Sequence, residues 1–261
     1  MQTQTINLIY FSPTKGTKKI VRAIGSGTAL YIEKEYNITR EKTAPITLTN
    51  DKTAIIGMPV YGGRLPLEAV ERLSQFRGTN TPAILAVVYG NRHYDDALLE
   101  LNDLVTAQGF NVIAGGAFIA IHSFSTAENP IAPDRPNAQD VQTAKAFGQK
   151  AIQKLKNQAS LQQPQIPGSY PYKERKPMPA ISPVTDSAIC TLCKACENIC
   201  PTHAIFINEE VSTDKDLCIW CNACVRACPE DARTFNAPQL ISIAQRLSTN
   251  FYTPKQPEIF L

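Results

Sequence analysis

The chain has little surplus charge: 26 Lys and Arg against 23 Asp and Glu leave a net +3, too small to argue for nucleic acid or an anionic membrane face as partner. Long hydrophobic runs are missing. The longest, residues 83–89 and 112–121, reach about half of the ~20 residues that a spanning helix needs. Residues 1–5 are polar and lead straight into an apolar stretch without a basic segment or cleavage site, so no targeting segment and no membrane insertion are expected, and the chain reads as cytoplasmic. Histidine is scarce, at 3, and no Ser-His-Asp set or pair of catalytic carboxylates stands out, so no catalytic residue is assigned. Cysteine is absent everywhere except residues 190–228, where all 8 lie. A disulfide framework spreads its cysteines through a small secreted chain, so this crowding argues for metal. Disorder is excluded for the chain as a whole, because 43% of its 261 residues are apolar and suffice for a core.

Three zones follow. Residues 1–157 alternate compact apolar runs (6–11, 54–58, 84–88 and 112–119, with a weaker one at 35–39) with helical patterns at 18–30, 66–76, 95–108 and 137–156. Leu98, Leu101, Leu104 and Val105 recur at helical spacing, as do Val70 and Leu73. Strand–helix alternation predicts an α/β fold, a doubly wound five-stranded parallel sheet of order 2-1-3-4-5. Residues 158–186 carry Pro164, Pro167, Pro171, Pro177, Pro179 and Pro183 and read as a semi-rigid extended linker. Within it Tyr170, Tyr172, Lys173, Arg175 and Lys176 are candidates for docking the flanking modules together, and a passive spacer is the alternative. Residues 187–235 hold the cysteines. In the tail, 236–261, Leu240, Ile243, Ala244 and Leu247 form one helical stripe, read as a packing helix. Charge divides with the zones: from Asp186 onward six basic residues face nine acidic ones, leaving +6 on the first 185 residues.

The cysteine zone is an internal repeat with an offset of 28: residues 190–204 align with 218–232, matching every cysteine, Ala195 with Ala223, Pro201 with Pro229 and Ala204 with Ala232. Each copy reads C-x2-C-x2-C-x3-C-P. Three cysteines so closely spaced wrap one iron–sulfur cluster, and the fourth, held away by the helix and proline that follow, reaches the neighbouring one. This assigns Cys190, Cys193, Cys196 and Cys228 to one cluster and Cys218, Cys221, Cys224 and Cys200 to the other. Structural zinc prefers two separate C-x2-C pairs closing one tetrahedron, which this pattern does not offer. Residues 187–235 resemble a bacterial-type two-cluster ferredoxin, a small α+β domain, with all eight motif positions filled. The resemblance implies two 4Fe–4S clusters and one-electron transfer. Trp220, between two of the ligands, is a candidate shield for its cluster or a plain packing aromatic.

Directly after the first strand come Ser12, Pro13, Thr14, Lys15, Gly16 and Thr17, at a helix start. Exposed N–H groups, the helix dipole and three hydroxyls make an anion site there, with an ordinary helix cap as the alternative. Neither G-x-x-x-x-G-K-[ST] nor G-x-G-x-x-G is present. Two more loops fall at carboxyl ends of strands, the edge where open α/β sheets bind ligands: Pro59, Val60, Tyr61, Gly62 and Gly63, and Tyr89, Gly90, Asn91, Arg92, Tyr94 and Asp95. Together the three loops outline a site for a mononucleotide carrying a flat ring.

These stretches, with His122, Ser123 and Phe124, resemble the flavodoxin fold, and the pairing with a C-terminal ferredoxin is similar to a family of fused flavodoxin–ferredoxin proteins. The resemblance spans nearly the whole chain. It implies non-covalent FMN, with phosphate on residues 12–17 and the ring between the Tyr61 and Tyr94 loops. One departure stands out: flavodoxin-like loops carry Gly after the second hydroxyl residue, where this chain has Lys15 followed by Gly16. Lysine there either adds a counter-charge to the phosphate or spoils the turn.

The expected function is electron transfer between FMN and two 4Fe–4S clusters, in exchange with a redox partner protein or a small donor or acceptor; homo-oligomerisation is compatible with it. Two alternatives stand beside it. One is a flavin-dependent reductase of a small substrate fed by the ferredoxin zone; the other is a ferredoxin with a flavin-free docking domain.

Overall fold

A computed structural model describes residues 5–157 and 162–261; the start of the polar N-terminus and residues 158–161 of the proline-rich zone lie outside the described residues. The first half runs β1 (Thr5–Tyr10), α1 (Gly16–Gly27), β2 (Tyr31–Asn37), β3 (Ile46–Leu48), β4 (Lys52–Pro59), α2 (Leu67–Leu73), β5 (Phe76–Gly78), β6 (Thr81–Tyr89), α3 (Ala97–Ala107), β7 (Phe110–Ile119) and α4 (Ala138–Lys156). β2, β1, β4, β6 and β7 pair in that order, all parallel, which is the 2-1-3-4-5 winding of a flavodoxin-like sheet. β4 and β6 are buried nearly end to end, hence their unbroken apolar sequences. β2 is the edge strand and largely exposed; Glu33, Lys34 and Glu35 occupy it, so it carries no apolar run and begins earlier than its sequence indicates.

One face of the sheet packs on α1 and α4 through Ile20, Val21, Ile24, Ala144 and Phe147. Here the helices cross closely: a Cβ on Gly148 would stand 2.1 Å from the Ile24 carbonyl oxygen, and one on Gly27 would stand 1.9 Å from that of Lys145. The other face packs on α2 and α3 through Ala69, Leu73, Leu98, Leu101 and Val105.

The second half contains β8 (Val184–Thr185), α5 (Ala195–Ile199), β9 (Ile205–Ile207), β10 (Val211–Thr213), α6 (Ala223–Ala227), β11 (Arg233–Thr234), α7 (Pro238–Asn250) and β12 (Glu258–Phe260). β9 pairs with β10 and β8 with β11, both antiparallel, so the end of the proline-rich zone supplies a strand to the cysteine module. The stripe on α7 packs down through Leu240, Ala244 and Leu247. The chain then returns to the first half, where β12 adds antiparallel to β7 and makes the sheet six-stranded rather than five-stranded. Three residues are too few to announce a strand by periodicity.

The proline-rich zone is extended and docked. Asp96 accepts hydrogen bonds from the Ser169 and Lys173 N–H groups, at 2.9 and 2.6 Å. Tyr170 and Tyr172 both donate to Asp103, Lys173 pairs with Asp95, and Arg175 donates to Glu100 and to the Leu65 carbonyl. Arg64 stacks over the Tyr172 ring at 4.6 Å and pairs with Glu100 at 2.8 Å. The zone therefore lies along α3 as a strap, not as a free spacer.

Candidate functional site

The eight cysteines surround two cavities. Cys190, Cys193, Cys196 and Cys228 line one; Cys200, Cys218, Cys221 and Cys224 line the second. Each takes three cysteines from one copy of the repeat and the last from the other. The cysteines of each set line a shared space; among the described residues, no group of three His, Cys, Asp or Glu is placed to hold a single metal ion. A cube-shaped cluster needs its ligands at separate corners, so this donor set suits 4Fe–4S chemistry.

The backbone is shaped to the same end. Leu192, Lys194 and His203 in the first copy have φ of 53°, 64° and 55°; their counterparts 28 residues on, Trp220, Asn222 and Asp231, have 56°, 56° and 52°. A non-glycine residue in this left-handed region costs roughly 1–2 kcal/mol, and runs of this kind turn successive N–H groups inward as an anion nest. The Cys200 sulfur accepts from the Ala204 N–H at 3.3 Å. Burial drives the Cys218 thiol up to about 11 and the Cys221 thiol well above its ordinary value, so metal must displace those protons when it binds. The first cage is the outer one, with Cys193 exposed; in the second, Cys200, Cys221 and Cys224 are buried.

The inner cage lies against the carboxyl edge of the parallel sheet. Ile219, Cys221 and Ala223 join the main core there, with Val60 and Tyr61 packed against it. Tyr61 has its hydroxyl held well above its usual range by burial first and by the nearby Cys221 and Cys218. Polar contacts grip the two modules on either side of this point. Arg72 donates to the Pro201 carbonyl at 2.6 Å and Arg40 to that of Cys200 at 3.3 Å. Across the edge, Asn222 donates to the Ser123 carbonyl at 2.8 Å and Arg226 to that of His122 at 2.7 Å. Trp220 donates to the Ile181 carbonyl at 3.0 Å and meets Phe235 edge-on, so it anchors the end of the strap.

The predicted phosphate loop stands at the start of α1. Lys15 is the N-cap residue at φ 67°, so the turn is kept with lysine in the conformation that favours glycine. No side chain caps the helix at this residue, and its first turn holds no acidic group. Ser12 is buried and its hydroxyl accepts from the Lys18 N–H at 3.0 Å, Thr17 is buried, and Thr14 is half-buried. Such an end suits a phosphate.

The two loops expected to flank a ring are placed differently from each other. Tyr61 and Arg64 close a turn by reciprocal backbone hydrogen bonds, projecting Gly62 at φ 62° into open space while Asp95 covers Gly63. The ring of Tyr94, by contrast, is only 3% exposed, meets Tyr89 edge-on and donates to Glu258 at 2.9 Å, so it faces the core rather than the crevice. Asn91 is equally occupied: it donates to the Phe251 and Thr253 carbonyls at 2.6 and 3.0 Å and accepts from the Lys255 N–H at 2.9 Å, pinning the tail. Arg92 pairs with Asp95. Gly90 lies under His122, whose ring a Cβ would meet at 2.2 Å. Crowding around His122, then the charges of Arg226 and Arg92, depress it to about 4 although part of its surface stays exposed.

Sequence reasoning missed Asp96, Arg72 and Arg233. Asp96 is the N-cap residue of α3, yet its carboxylate serves the strap and makes no bond to its own helix. Arg233 lines both cysteine cavities. A signal existed for it, since the repeat places Ile205 at the matching position.

Residues 189–232 match the family model of the 4Fe-4S dicluster domain, so the cysteine module is a two-cluster iron–sulfur domain. A comparison with curated proteins found no match. Among solved structures, the chain is similar to a flavodiiron core from Synechocystis (17% identity, TM-score 0.43, covering 60% of this chain and 37% of that one). It is also similar to an archaeal flavodoxin (15%, TM-score 0.39, covering 58% and 99%) and to a flavodoxin from Fusobacterium nucleatum bound to flavin mononucleotide (16%, TM-score 0.37, covering 59% and 98%). The fold assignment rests on the strand order and register, not on these distant likenesses.

Proposed function

We propose that the chain is an iron–sulfur flavoprotein that transfers electrons between FMN and two 4Fe–4S clusters. The observation that carries this is the seat of the inner cage: Cys221 packs with Tyr61 in one core, at the sheet edge where a fold of this winding binds its ligand. Bound there, FMN exchanges one or two electrons and each cluster one at a time. Ser12, Thr14, Lys15, Gly16 and Thr17 would hold the phosphate, and the turn of residues 59–63 one side of the ring. The role of the second loop passes from the Tyr94 ring, which is turned inward, to the backbone and the Arg92–Asp95 pair.

The chain's own contribution is docking and exclusion of water. Val60, Tyr61, Ile219 and Ala223 seal the space between the inner cage and the sheet edge, and Arg40, Arg72, Asn222 and Arg226 fix the modules together. The outer cage, with Cys193 exposed, faces the redox partner, be it a protein or a small donor. Among the described residues no helix is long and apolar enough to cross a membrane, and an outer cage with Cys193 exposed fits a reducing, anoxic cytoplasm.

Anaerobic purification with iron, sulfide and flavin quantified per chain tests the proposal. Iron and sulfide sufficient for two four-iron clusters, with FMN bound or taken up on addition, are expected. Zinc in place of iron, or a protein that rejects added FMN, would overturn it.

A further inference from the structure

Arg233 is 2% exposed and lies between the two cysteine cavities, lining both. Its Nη1 donates to the Thr185 hydroxyl at 2.7 Å, and its Nη2 donates to the Thr213 hydroxyl at 3.1 Å and approaches the Cys224 sulfur at 3.8 Å. Its Nε is buried and has no partner. Among the described residues no carboxylate pairs with it; its partners are the two hydroxyls and the sulfur. A buried guanidinium with neither counter-charge nor complete hydrogen bonding is costly unless something anionic fills the adjoining space. The repeat makes the point sharper: the matching position of the first copy is Ile205, an apolar residue 3% exposed, so the fold at this place does not require a charge.

We propose that Arg233 is the internal counter-charge shared by both clusters and sets their reduction potentials. The inference rests on the iron–sulfur half of the functional reading and is independent of the flavin. A cluster held by four thiolates is anionic and gains a further negative charge on reduction. A fixed cation in a low-dielectric site favours the reduced form. Reduction takes one electron from the external reductant, breaks no bond and moves no proton, because arginine stays charged in proteins. Arg233 is thus a positioning residue for charge, and its contact with Cys224 biases it toward the inner cage.

The test is an anaerobic, mediator-poised reductive titration of the full chain, followed by cluster EPR, with iron and sulfide counted in each sample. Arg233→Met is expected to keep its iron and lower both potentials, shifting the reduction equilibrium at least tenfold, about 59 mV for one electron; the inner cluster moves further. Arg233→Lys, which keeps the charge, stays near the wild type. Full iron content with unmoved potentials in Arg233→Met would overturn the proposal and leave the cluster assignment intact. So would loss of iron in both Arg233→Met and Arg233→Gln, which would make the position one of assembly. A wild-type chain without iron would instead sink the cluster reading itself.

Discussion

Replacing Asp96 with Ala should release the strap from α3 without unfolding anything else. The carboxylate is 7% exposed and accepts two backbone N–H groups, Ser169 at 2.9 Å and Lys173 at 2.6 Å. A hydrogen bond to a charged acceptor contributes about 1.5–3 kcal/mol. Two of them give roughly 3–6 kcal/mol, and water capturing the freed N–H groups of an open strap pulls the figure to the lower end. About 3 kcal/mol raises the open population roughly a hundredfold. Asp96 makes no capping bond to α3, so the helix loses nothing and circular dichroism stays unchanged. The assay is limited trypsin digestion, because Lys173 and Arg175 both lie in the docked stretch. Cleavage tracks the open population when opening is fast relative to cutting. Asp96→Ala should be cut there at least tens of times faster than wild type, with Asp96→Asn, which keeps one acceptor, between them. Equal cutting rates would show that Tyr170, Tyr172 and Arg175 hold the strap alone and that the Asp96 bonds add nothing.

Lys15→Gly removes a left-handed penalty of roughly 1–2 kcal/mol but adds about 0.5–1 kcal/mol of unfolded-state entropy, so a gain of about 0.5–1 kcal/mol is expected in chemical denaturation, together with weaker FMN binding from the lost charge. Cys228→Ser should empty the cage of Cys190, Cys193 and Cys196, and Cys200→Ser that of Cys218, Cys221 and Cys224, each leaving about half the iron and a single cluster EPR signal; damage to the opposite cage in either variant would refute the crossed ligation. His122 is neutral in the folded chain down to about 4, whereas the unfolded chain protonates it near 6.5. Its share of stability is therefore full above 6.5, declines as pH falls toward 4 and amounts to roughly 3 kcal/mol in all. Denaturation at stepped pH checks this, and a His122→Gln variant with the same acid slope would show that other groups cause it.

The winding of the sheet was legible because β4, β6 and β7 are buried on both faces and so must be written in unbroken apolar residues. β2 was harder to delimit, since an edge strand earns little from burial and carries Glu33 and Glu35 for ion pairs with Lys52 and Arg22. β12 was invisible: its pairing depends on where α7 and the Asn91 contacts deliver the tail, which is decided in three dimensions. The same holds for the strap. Proline density excluded helix, but whether an extended segment is free or docked turns on partners such as Asp96 and Asp103, distant in the chain.

The cysteine cages are the opposite case. Their ligands come from short segments whose spacing is itself the geometry, so the motif carried the cluster type, and the crossed pairing it implies agrees with how the cysteines group around the two cavities. Tyr94 shows where that logic ends: an aromatic in a glycine-bearing loop at the right sheet edge satisfies every sequence criterion for a ring wall. Its ring lies against Tyr89 in the core and its hydroxyl is taken by Glu258, 164 residues away on β12, a partner that no local pattern announces. Arg233 shows how a repeat can be read further. Where two copies align at every ligand, a position that differs in chemistry is not explained by the common fold, and Ile205 against Arg233 is apolar against charged, with Arg233 alone among the described residues lining both cages. A departure from internal symmetry at a buried position lining both cages is therefore where a residue that sets how the cofactors behave is to be tested for.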